Sequence, residues 1–291
     1  MSTSNAGVAA PTLQPLDAAL IARTVRANTR HAFDLRIVQE TGSTNSDLLR
    51  DAATLPSGTV LAVEHQTAGR GRRGRTWVAP PGGSLAFSLL WKFERDAAAL
   101  AGLSLAVGVA AARALERCGA AAGVADTSLN VQLKWPNDLL VSIEGTSSYA
   151  KLGGILIELA AAEACRTPAV IGIGINIALG DAARDIDQPV TDLATHRAQT
   201  SRNAVLAYLL DALLPVLRAF EQGGFAPLAA EWNARHAFGG KRVALTPEHA
   251  ASVQGIALGA DTDGALLLDT GQAGASCVQR IVSGEVSLRA A

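Results

Sequence analysis

The chain has few cysteines, and their positions argue against a role in cross-linking. The 291 residues include three, Cys118, Cys165 and Cys277, which are widely spaced and form no C-x-x-C pair. An odd and scattered set does not suit a disulfide framework or a thiolate zinc site. The five histidines also lack the H-x-x-x-H spacing of a metal site. We therefore expect a protein of the reducing cytoplasm.

Long hydrophobic runs and an excess of one charge are also missing. No run of about 18 uncharged apolar residues occurs, so no membrane span is predicted. The N-terminal segment has no basic region followed by an apolar core, so it does not resemble a signal peptide. The 25 Lys and Arg residues nearly balance the 26 Asp and Glu residues. No overall field therefore attracts the chain to nucleic acid or to an acidic membrane.

What the chain does contain is a series of apolar segments that changes character near Phe238. Helical spacing predicts helices at 16–32, 43–53, 100–118, 203–221 and 225–236, with a kink or break at Pro215. Apolar runs predict strands at 35–39, 59–65, 85–92, 131–135, 139–143, 153–160 and 169–177. Short alternating strands at 243–246, 251–258, 265–269 and 281–288 then predict a small all-β barrel.

Residues 69–75, called here the glycine–arginine loop, are the most unusual segment. They place four arginines among three glycines. Glycine disfavours helix and strand interiors and lets the backbone approach a ligand, while guanidinium groups bind carboxylate or phosphate. An RNA-binding arginine loop and a solvated surface turn are the alternatives. The preceding strand and the apolar Trp77 and Val78 that follow argue against both.

Two further segments carry polar groups at predicted strand ends. In the run Lys134-Trp135-Pro136-Asn137-Asp138, proline forces a turn or extended geometry, and Asn and Asp suit a purine edge and Mg²⁺. An ordinary turn is the alternative. Lys151 precedes the pair Gly153-Gly154 and suits a developing phosphoryl or acyl charge, although such a lysine is usually just solvated. Residues 172–176 lack the full G-x-G-x-x-G pattern, which disfavours a dinucleotide-binding fold.

In chain order, residues 40–45, 66–77, 134–138, 151–156 and 172–176 resemble the corresponding segments of biotin–protein ligases. The resemblance extends from about residue 35 to the C-terminus. It implies an α+β fold: a mixed β-sheet catalytic domain covered by helices, like that of class II aminoacyl-tRNA synthetases, and a C-terminal SH3-like β-barrel. The implied domains are a tail and short helix at 1–33, the catalytic domain at 34–237 and the barrel at 238–291.

Such ligases use biotin and Mg-ATP to make biotinyl-5'-AMP, and then transfer biotin to a lysine of a carboxylase's biotin carboxyl carrier domain. Adenylation supplies a leaving group, because a carboxylate is a poor electrophile; the protein supplies position and positive charge. The resemblance implies Mg²⁺ carried by ATP rather than by a certain protein site. The implied catalytic residues are Lys151 between the carboxylate and the α-phosphate, Arg70 in the closing loop, and Asp138, which orients the incoming lysine or the metal.

The same resemblance implies two overlapping sets of binding residues. The biotin set is Ser43, Thr44, Asn45, Gln66, Arg70, Gly71, Arg72, Lys151, Gly153 and Gly154. The nucleotide set is Arg72, Arg75, Trp77, Asn137, Lys151 and Asn176. Residues 43–45 offer hydroxyl and amide groups that suit a ureido ring, and Trp77 is expected to pack over the adenine once the loop closes.

Two features depart from the family pattern. The connection at 139–150 is longer than the family's shortest, and a hairpin lengthened at its polar tip, 144–148, would absorb the extra residues. Only about 34 residues precede the first predicted strand, too few for the winged helix-turn-helix of relatives that are also repressors. We therefore expect a monofunctional ligase without specific DNA binding. Exposed sheet edges of two chains can pair, so a homodimer that forms on ligand binding remains an alternative.

Two other functions stay in competition at this stage. Lipoate or octanoate ligation or transfer uses a catalytic fold that resembles this one, although the glycine–arginine loop and residues 134–138 favour biotin. A nucleic-acid-binding regulator would use the arginines of the loop. The balanced net charge and the missing helix-turn-helix disfavour that second function.

Overall fold

The computed structural model describes residues 14–78, 80–120, 129–161, 166–196, 201–247, 253–271, 276–282 and 286–290. Most of the predicted N-terminal tail, and Cys165, lie outside the described residues. The described chain forms a seven-stranded mixed sheet packed with helices and a separate five-stranded antiparallel sheet. The predicted α+β class is therefore confirmed.

The large sheet contains all seven predicted strands: β1 (Asp34–Thr41), β2 (Thr59–Gln66), β3 (Ser84–Phe93), β4 (Gln132–Lys134), β5 (Asp138–Ser142), β6 (Tyr149–Leu159) and β7 (Thr167–Asn176). Their order across the sheet is β1-β2-β3-β7-β6-β5-β4. Strands β1 and β2 are parallel and the other neighbours are antiparallel. The β5–β6 hairpin carries the predicted lengthened tip, and β6 begins early enough to place Lys151 inside the strand rather than before it.

The helix predicted at 16–32 is instead two short helices, α1 (Ala18–Thr24) and α2 (Ala27–Arg30). Val25 and Arg26 between them are extended, with ψ angles of 138° and 146°. The Arg26 N–H donates to Asp211 Oδ1 at 3.1 Å, far away in sequence. This tertiary contact favours the interruption, which no local pattern announces.

The remaining helices are α3 (Thr44–Arg50), α4 (Leu103–Ala120), α5 (Leu193–His196), α6 (Arg202–Gly223) and α7 (Ala229–Ala234). Of the kink or break predicted at Pro215, the break is wrong, because α6 runs through it without interruption over described residues 202–223, and the kink stays a prediction. Pro215 is exposed on that helix, so its ring lies in solvent rather than in the core. The helix predicted at 225–236 is a 3₁₀ turn, Ala226–Leu228, followed by the shorter α7.

Alternation along the central strands separates the two faces of the sheet. Leu85, Phe87 and Leu89 of β3 belong to the main core together with residues of α4 and α6, whereas Leu90 packs with Leu48 of α3. Successive strand residues point to opposite faces. Helices α4 and α6 therefore cover one face, and α3 lies on the other.

Helices α4 and α6 are apolar on most sides. Two segments, Ala97–Cys118 and Arg202–Gly223, are long and apolar enough to cross a membrane by length and composition alone. The helices pack against each other, and 67% and 72% of the most apolar 18-residue stretch of each segment is buried inside the protein. Core helices of soluble proteins pass the same test, and burial accounts for the apolar composition here.

The C-terminal sheet consists of β8 (Arg242–Pro247), β9 (Val253–Ala260), β10 (Leu266–Asp269), β11 (Val278–Ile281) and β12 (Val286–Ala290), in the order β11-β10-β9-β8-β12. The strand predicted at 281–288 is therefore wrong, since β11 and β12 lie at opposite edges. The five residue steps from Ile281 at the end of β11 to Val286 at the start of β12 span at most about 18 Å. In a flat sheet of five strands the two edge strands would lie about 19 Å apart. The sheet must curl to let the chain connect its edges, as a small barrel does.

The two sheets are joined at the turn between β4 and β5. Trp135 is buried there, and its indole Nε1 donates to the Gly264 carbonyl at 3.1 Å. The Trp135–Pro136 peptide bond is cis. Asn233 of α7 adds a pair of hydrogen bonds to the backbone of Ala260 in β9. The C-terminal sheet thus packs directly behind the turn that carries Asn137 and Asp138.

Candidate active site

Strands β3, β6 and β7 form the floor of a cleft of about 160 Å³ on the sheet face that carries α3. A Cβ at Gly172 would lie 2.3 Å from Asn45 Oδ1, and one at Gly174 would lie 2.6 Å from the Trp77 indole. Both distances are shorter than van der Waals contact, so only glycine lets these two side chains lie on β7. The glycines at 172–176 therefore make room in the cleft.

The glycine–arginine loop forms one wall of the cleft. Its backbone closes on itself, since the Gly71 N–H donates to the Arg75 carbonyl at 2.7 Å. Arg73 and Gly74 have positive φ angles of 58° and 67°, in the left-handed region that glycine adopts without cost. The segment forms no α-helix and no strand, and its only regular element is a 3₁₀ turn at Arg72–Gly74 that Arg73 interrupts. It presents four side chains to the cleft, Arg70, Arg72, Arg73 and Arg75.

Hydroxyl and amide groups form what we call the polar end of the cleft: Ser43, Thr44, Asn45 and Ser88, which are buried, and Gln66, which is half-buried. The turn after β1 places the N-terminus of α3 over β3 and β7. The Thr44 N–H donates to Gln66 Oε1 at 2.9 Å, and its hydroxyl lies 2.7 Å from Ser88 Oγ. Ser88 donates to Asn45 Oδ1 at 2.5 Å. The groups predicted to suit a ureido ring are thus gathered at one place.

Glu158 of β6 connects the polar end to the glycine–arginine loop. Its carboxylate accepts from Asn45 Nδ2 at 2.9 Å and from Arg70 at 2.7 Å. Arg70 lines the cleft, but its guanidinium is directed at this carboxylate. In this structure Arg70 therefore fastens the loop to the floor of the cleft.

Positive side chains around one acid form what we call the cationic end. Asp138 Oδ1 lies 2.6 Å from Lys151 Nζ, and Oδ2 lies 3.3 Å from Lys134 Nζ. Burial by itself raises the pKa of Asp138, but the two lysines outweigh it and hold that pKa below its usual value. Burial, with a contribution from Arg73, lowers the pKa of Arg72. Cations this close together favour the binding of an anion.

Trp77 lies in the floor between the two ends. Its indole rests against Gly174, and Lys151 Nζ is 6.0 Å from the ring centroid. Among the described residues, Trp77 Nε1 is buried without a hydrogen-bond partner. Packing over an adenine would require the ring to present a face to the cleft, and that role stays a prediction.

All but one of the predicted site residues line this single cleft. They are Ser43, Thr44, Asn45, Gln66, Arg70, Gly71, Arg72, Arg75, Trp77, Asn137, Asp138, Lys151, Gly154 and Asn176. Gly153 lies outside it, on the opposite side of β6, where a Cβ would be 2.6 Å from the Gly174 carbonyl. The absence of a side chain at Gly153 therefore lets β6 pack against β7, and its contact with biotin stays a prediction.

Two predicted nucleotide-binding asparagines use their amide hydrogens inside the protein. Asn137 Nδ2 donates to the Ile155 carbonyl at 2.7 Å. Asn176 Nδ2 donates to the carbonyls of Lys151 and Thr191 at 3.2 and 2.9 Å. Both asparagines therefore fix the backbone around the cationic end.

Sequence reasoning missed Ser88 of the polar end and Glu158 beside it. Ser88 is a hydroxyl between apolar residues of β3, and Glu158 continues the face of β6 that begins with Gly154 and Leu156. A polar side chain on an otherwise apolar strand was the available signal for both. Successive side chains of a strand point to opposite faces, so Ser88 and Glu158 can be assigned to the cleft face only after that face is known.

The fold and the cleft define a class of enzyme. An α+β scaffold presents neutral hydrogen-bonding groups at one end of a cleft and lysine and arginine at the other. Such a cleft suits an elongated acid with a polar head, whose carboxylate meets a phosphate at the cationic end. This is the arrangement required to activate a carboxylic acid with a nucleotide.

Comparison with known proteins makes the assignment more specific. The model of the Biotin/lipoate A/B protein ligase family matches residues 36–176, and that of the Biotin protein ligase C terminal domain matches residues 238–289. The bifunctional ligase/repressor BirA of Salmonella typhimurium is 38% identical over 250 residues, covering 86% of this chain and 72% of that protein. The biotin--[acetyl-CoA-carboxylase] ligase of Mycobacterium tuberculosis is 35% identical over 241 residues, covering 81% and 84%.

A solved structure agrees with the sequence comparisons. Biotin protein ligase from Aquifex aeolicus in complex with biotin and ATP has a TM-score of 0.71 and 28% identity, covering 89% of this chain and 99% of that one. The chain belongs to the biotin protein ligase family. The family and fold that the sequence predicted are confirmed.

Proposed function

We propose that the protein activates biotin with ATP and transfers it to one lysine of a biotin carboxyl carrier domain in acetyl-CoA carboxylase or a related carboxylase. The observation that carries this proposal is the single cleft with a polar end and a cationic end. Biotin matches it, with a ureido ring for the polar end and a carboxylate for the cationic end. The relatives named as biotin--[acetyl-CoA-carboxylase] ligases support it further.

In the first step a carboxylate oxygen of biotin attacks the α-phosphorus of ATP, and the bond to pyrophosphate breaks. Lys151 places a positive charge where the two negative groups meet. Asp138 Oδ1 and Lys151 Nζ lie 2.6 Å apart here. An arriving carboxylate therefore competes with Asp138 for Lys151. Lys134 stays beside Asp138 and compensates its charge when Lys151 turns to the substrates.

In the second step the carrier lysine attacks the acyl carbon, a C–N bond forms and AMP leaves. The lysine arrives as an ammonium ion and must release a proton to the solvent before it can attack. Because Lys151 and Lys134 lower its pKa, Asp138 is ionised and is a weak base. Its role is therefore to bind and orient the incoming ammonium group.

Magnesium is proposed to arrive with ATP. Within the described parts of the chain, no group of three or more acidic, histidine or cysteine side chains could hold a metal ion. Asp138 can supply one oxygen ligand, with phosphate oxygens and water completing the coordination that Mg²⁺ prefers. The ion would neutralise phosphate charge during the first step.

Lys151→Ala tests the first step. We expect the rate of biotin-dependent ATP–pyrophosphate exchange to fall by about 10²–10³-fold, because a positioned positive charge is lost from the reacting groups. Transfer of labelled biotin to a carrier domain should fall in parallel. The matched control is Lys92→Ala, a lysine of β3 that binds the Ala53 carbonyl outside the cleft, and it should keep wild-type rates. Full exchange activity in Lys151→Ala would remove this residue from the mechanism.

Lipoate or octanoate is the second candidate acid, because the family model over residues 36–176 includes lipoate enzymes. The match of residues 238–289 to the biotin protein ligase C-terminal domain favours biotin. Thermal-shift measurements separate the two, since biotin plus ATP should raise the melting temperature more than lipoate plus ATP. Stabilisation by lipoate plus ATP, without stabilisation by biotin plus ATP, would reverse the choice.

A nucleic-acid-binding regulator is not favoured, because the arginines of the glycine–arginine loop line the cleft. Absence of specific DNA binding, a cytoplasmic location and a homodimer that forms on ligand binding remain proposals. A gel-shift assay with random DNA and RNA tests for nucleic-acid binding. Sedimentation with and without biotin and ATP tests for the homodimer.

A further inference from the structure

Glu158 stands beside the polar end, and the two reaction steps make no use of it. Its side chain is 27% exposed, and it accepts hydrogen bonds from Asn45 and Arg70. An ionised carboxylate can only accept hydrogen bonds. Both neighbours must therefore donate to it, which fixes the direction of every hydrogen bond further along the chain of contacts.

Asn45 is the next member of that chain. Its Nδ2 donates to the Leu156 carbonyl at 3.2 Å and to Glu158 at 2.9 Å, so both amide hydrogens are used. The amide oxygen then faces Ser88, which donates its hydroxyl hydrogen to Asn45 Oδ1 at 2.5 Å. A serine hydroxyl has one hydrogen, so Ser88 can only accept in its other contact.

That other contact reaches the cleft. Thr44 Oγ1 lies 2.7 Å from Ser88 Oγ, and Thr44 must be the donor because the hydrogen of Ser88 is already used. Gln66 Oε1 accepts the backbone N–H of Thr44 at 2.9 Å, and its contact with the hydroxyl is longer, 3.2 Å. Thr44 lines the cleft, so the hydroxyl offers lone pairs there and no hydrogen.

We propose that Glu158 is a positioning residue that sets this order of protons, so that the Thr44 hydroxyl accepts a hydrogen bond from a ring N–H of the acid substrate. The inference rests on the proposed function, because the ureido ring of biotin offers N–H donors. Lipoate and octanoate have no such donor. A fixed acceptor therefore selects biotin, since a buried polar group left unpaired lowers the affinity for the wrong acid.

The test measures KM for biotin, KM for ATP and kcat in ATP–pyrophosphate exchange. In Glu158→Ala and in Ser88→Ala we expect KM for biotin to rise by about tenfold, equivalent to one hydrogen bond of about 1.4 kcal/mol. KM for ATP should stay within about twofold. The double variant should show about the same loss as either single one, because both interrupt one chain. Glu158→Gln keeps an acceptor for Asn45 and should restore most of the biotin affinity.

The matched control is Glu94→Gln, which breaks a Glu–Arg pair with Arg166 outside the cleft and should leave all three constants unchanged. An unchanged KM for biotin in Glu158→Ala, or additive losses in the double variant, would show that proton order does not matter. An equal rise of KM for biotin in Glu158→Gln and in Glu158→Ala would also contradict the proposal. Absence of biotin-dependent exchange in the wild-type protein would instead refute the proposed function itself.

Discussion

At the scale of single residues, the cleft owes its depth to positions without a side chain. Gly172 and Gly174 lie on β7 beneath Asn45 and Trp77, at distances that exclude a methyl group. Two residues proposed to contact the substrates are thus positioned by the glycines beneath them. In a sequence motif, glycines suggest a close approach of the backbone to phosphate. Here their small size matters because it leaves room for the side chains of Asn45 and Trp77.

Gly172→Ala should weaken biotin binding and also lower the stability of the fold. The new methyl group would meet Asn45 Oδ1 and force the amide away from Ser88. We expect KM for biotin to rise by about tenfold and the free energy of unfolding to fall by about 1–3 kcal/mol. The control is Gly108→Ala in α4, where the nearest atom is 3.5 Å away. It should leave KM unchanged, and equal effects of the two substitutions would argue against a specific role for Gly172.

At the scale of elements, α6 continues through Pro215 because its environment accepts the proline. Proline removes one helical hydrogen bond and crowds the preceding turn. The ring of Pro215 lies at an exposed position and displaces no core side chain, while Leu213, Leu214 and Val216 keep the helix packed on the core. Tertiary packing therefore overrides a local signal that correctly identifies an unfavourable residue.

Pro215→Ala should stabilise the protein without changing its activity. The alanine restores the missing N–H donor, and the greater freedom of the unfolded chain offsets part of the gain. We expect the free energy of unfolding to rise by about 1–2 kcal/mol in urea denaturation. Arg218→Ala, another exposed position of α6, is the control and should change it little, since alanine and arginine have similar helix propensities. A loss of stability in Pro215→Ala would contradict the argument.

At the scale of the whole molecule, the catalytic sheet and the C-terminal sheet meet at buried groups near the end of α7. His236 packs on Trp232, with ring centroids 4.7 Å apart, and both of its ring nitrogens have no hydrogen-bond partner among the described residues. Burial, with a contribution from Lys241, lowers the pKa of His236 to about 4. The junction therefore holds a neutral histidine that resists protonation.

Stability should fall as the solution becomes acidic. An unfolded histidine has a pKa of about 6.5, so between pH 6.5 and 4 the unfolded state binds more protons than the folded state. The contribution of His236 is complete above pH 6.5 and decreases towards pH 4, by roughly 3 kcal/mol. Urea denaturation between pH 7 and pH 4 should show a smaller decrease in His236→Phe. Tyr149→Phe, in the same aromatic cluster, should keep the full decrease; identical curves for all three proteins would exclude His236 as the cause.

The sequence by itself determined the class of fold, the seven strands of the catalytic sheet and fourteen of the residues that line the cleft. It could do so because period-two and helical patterns are local, and because the glycine–arginine loop and residues 134–138 are compositionally unusual. It could not place Glu158 and Ser88 together, exclude Gly153 from the cleft or separate β11 from β12. Those outcomes depend on strand order and on which face of β6 meets α3, and side chains far apart in sequence decide both.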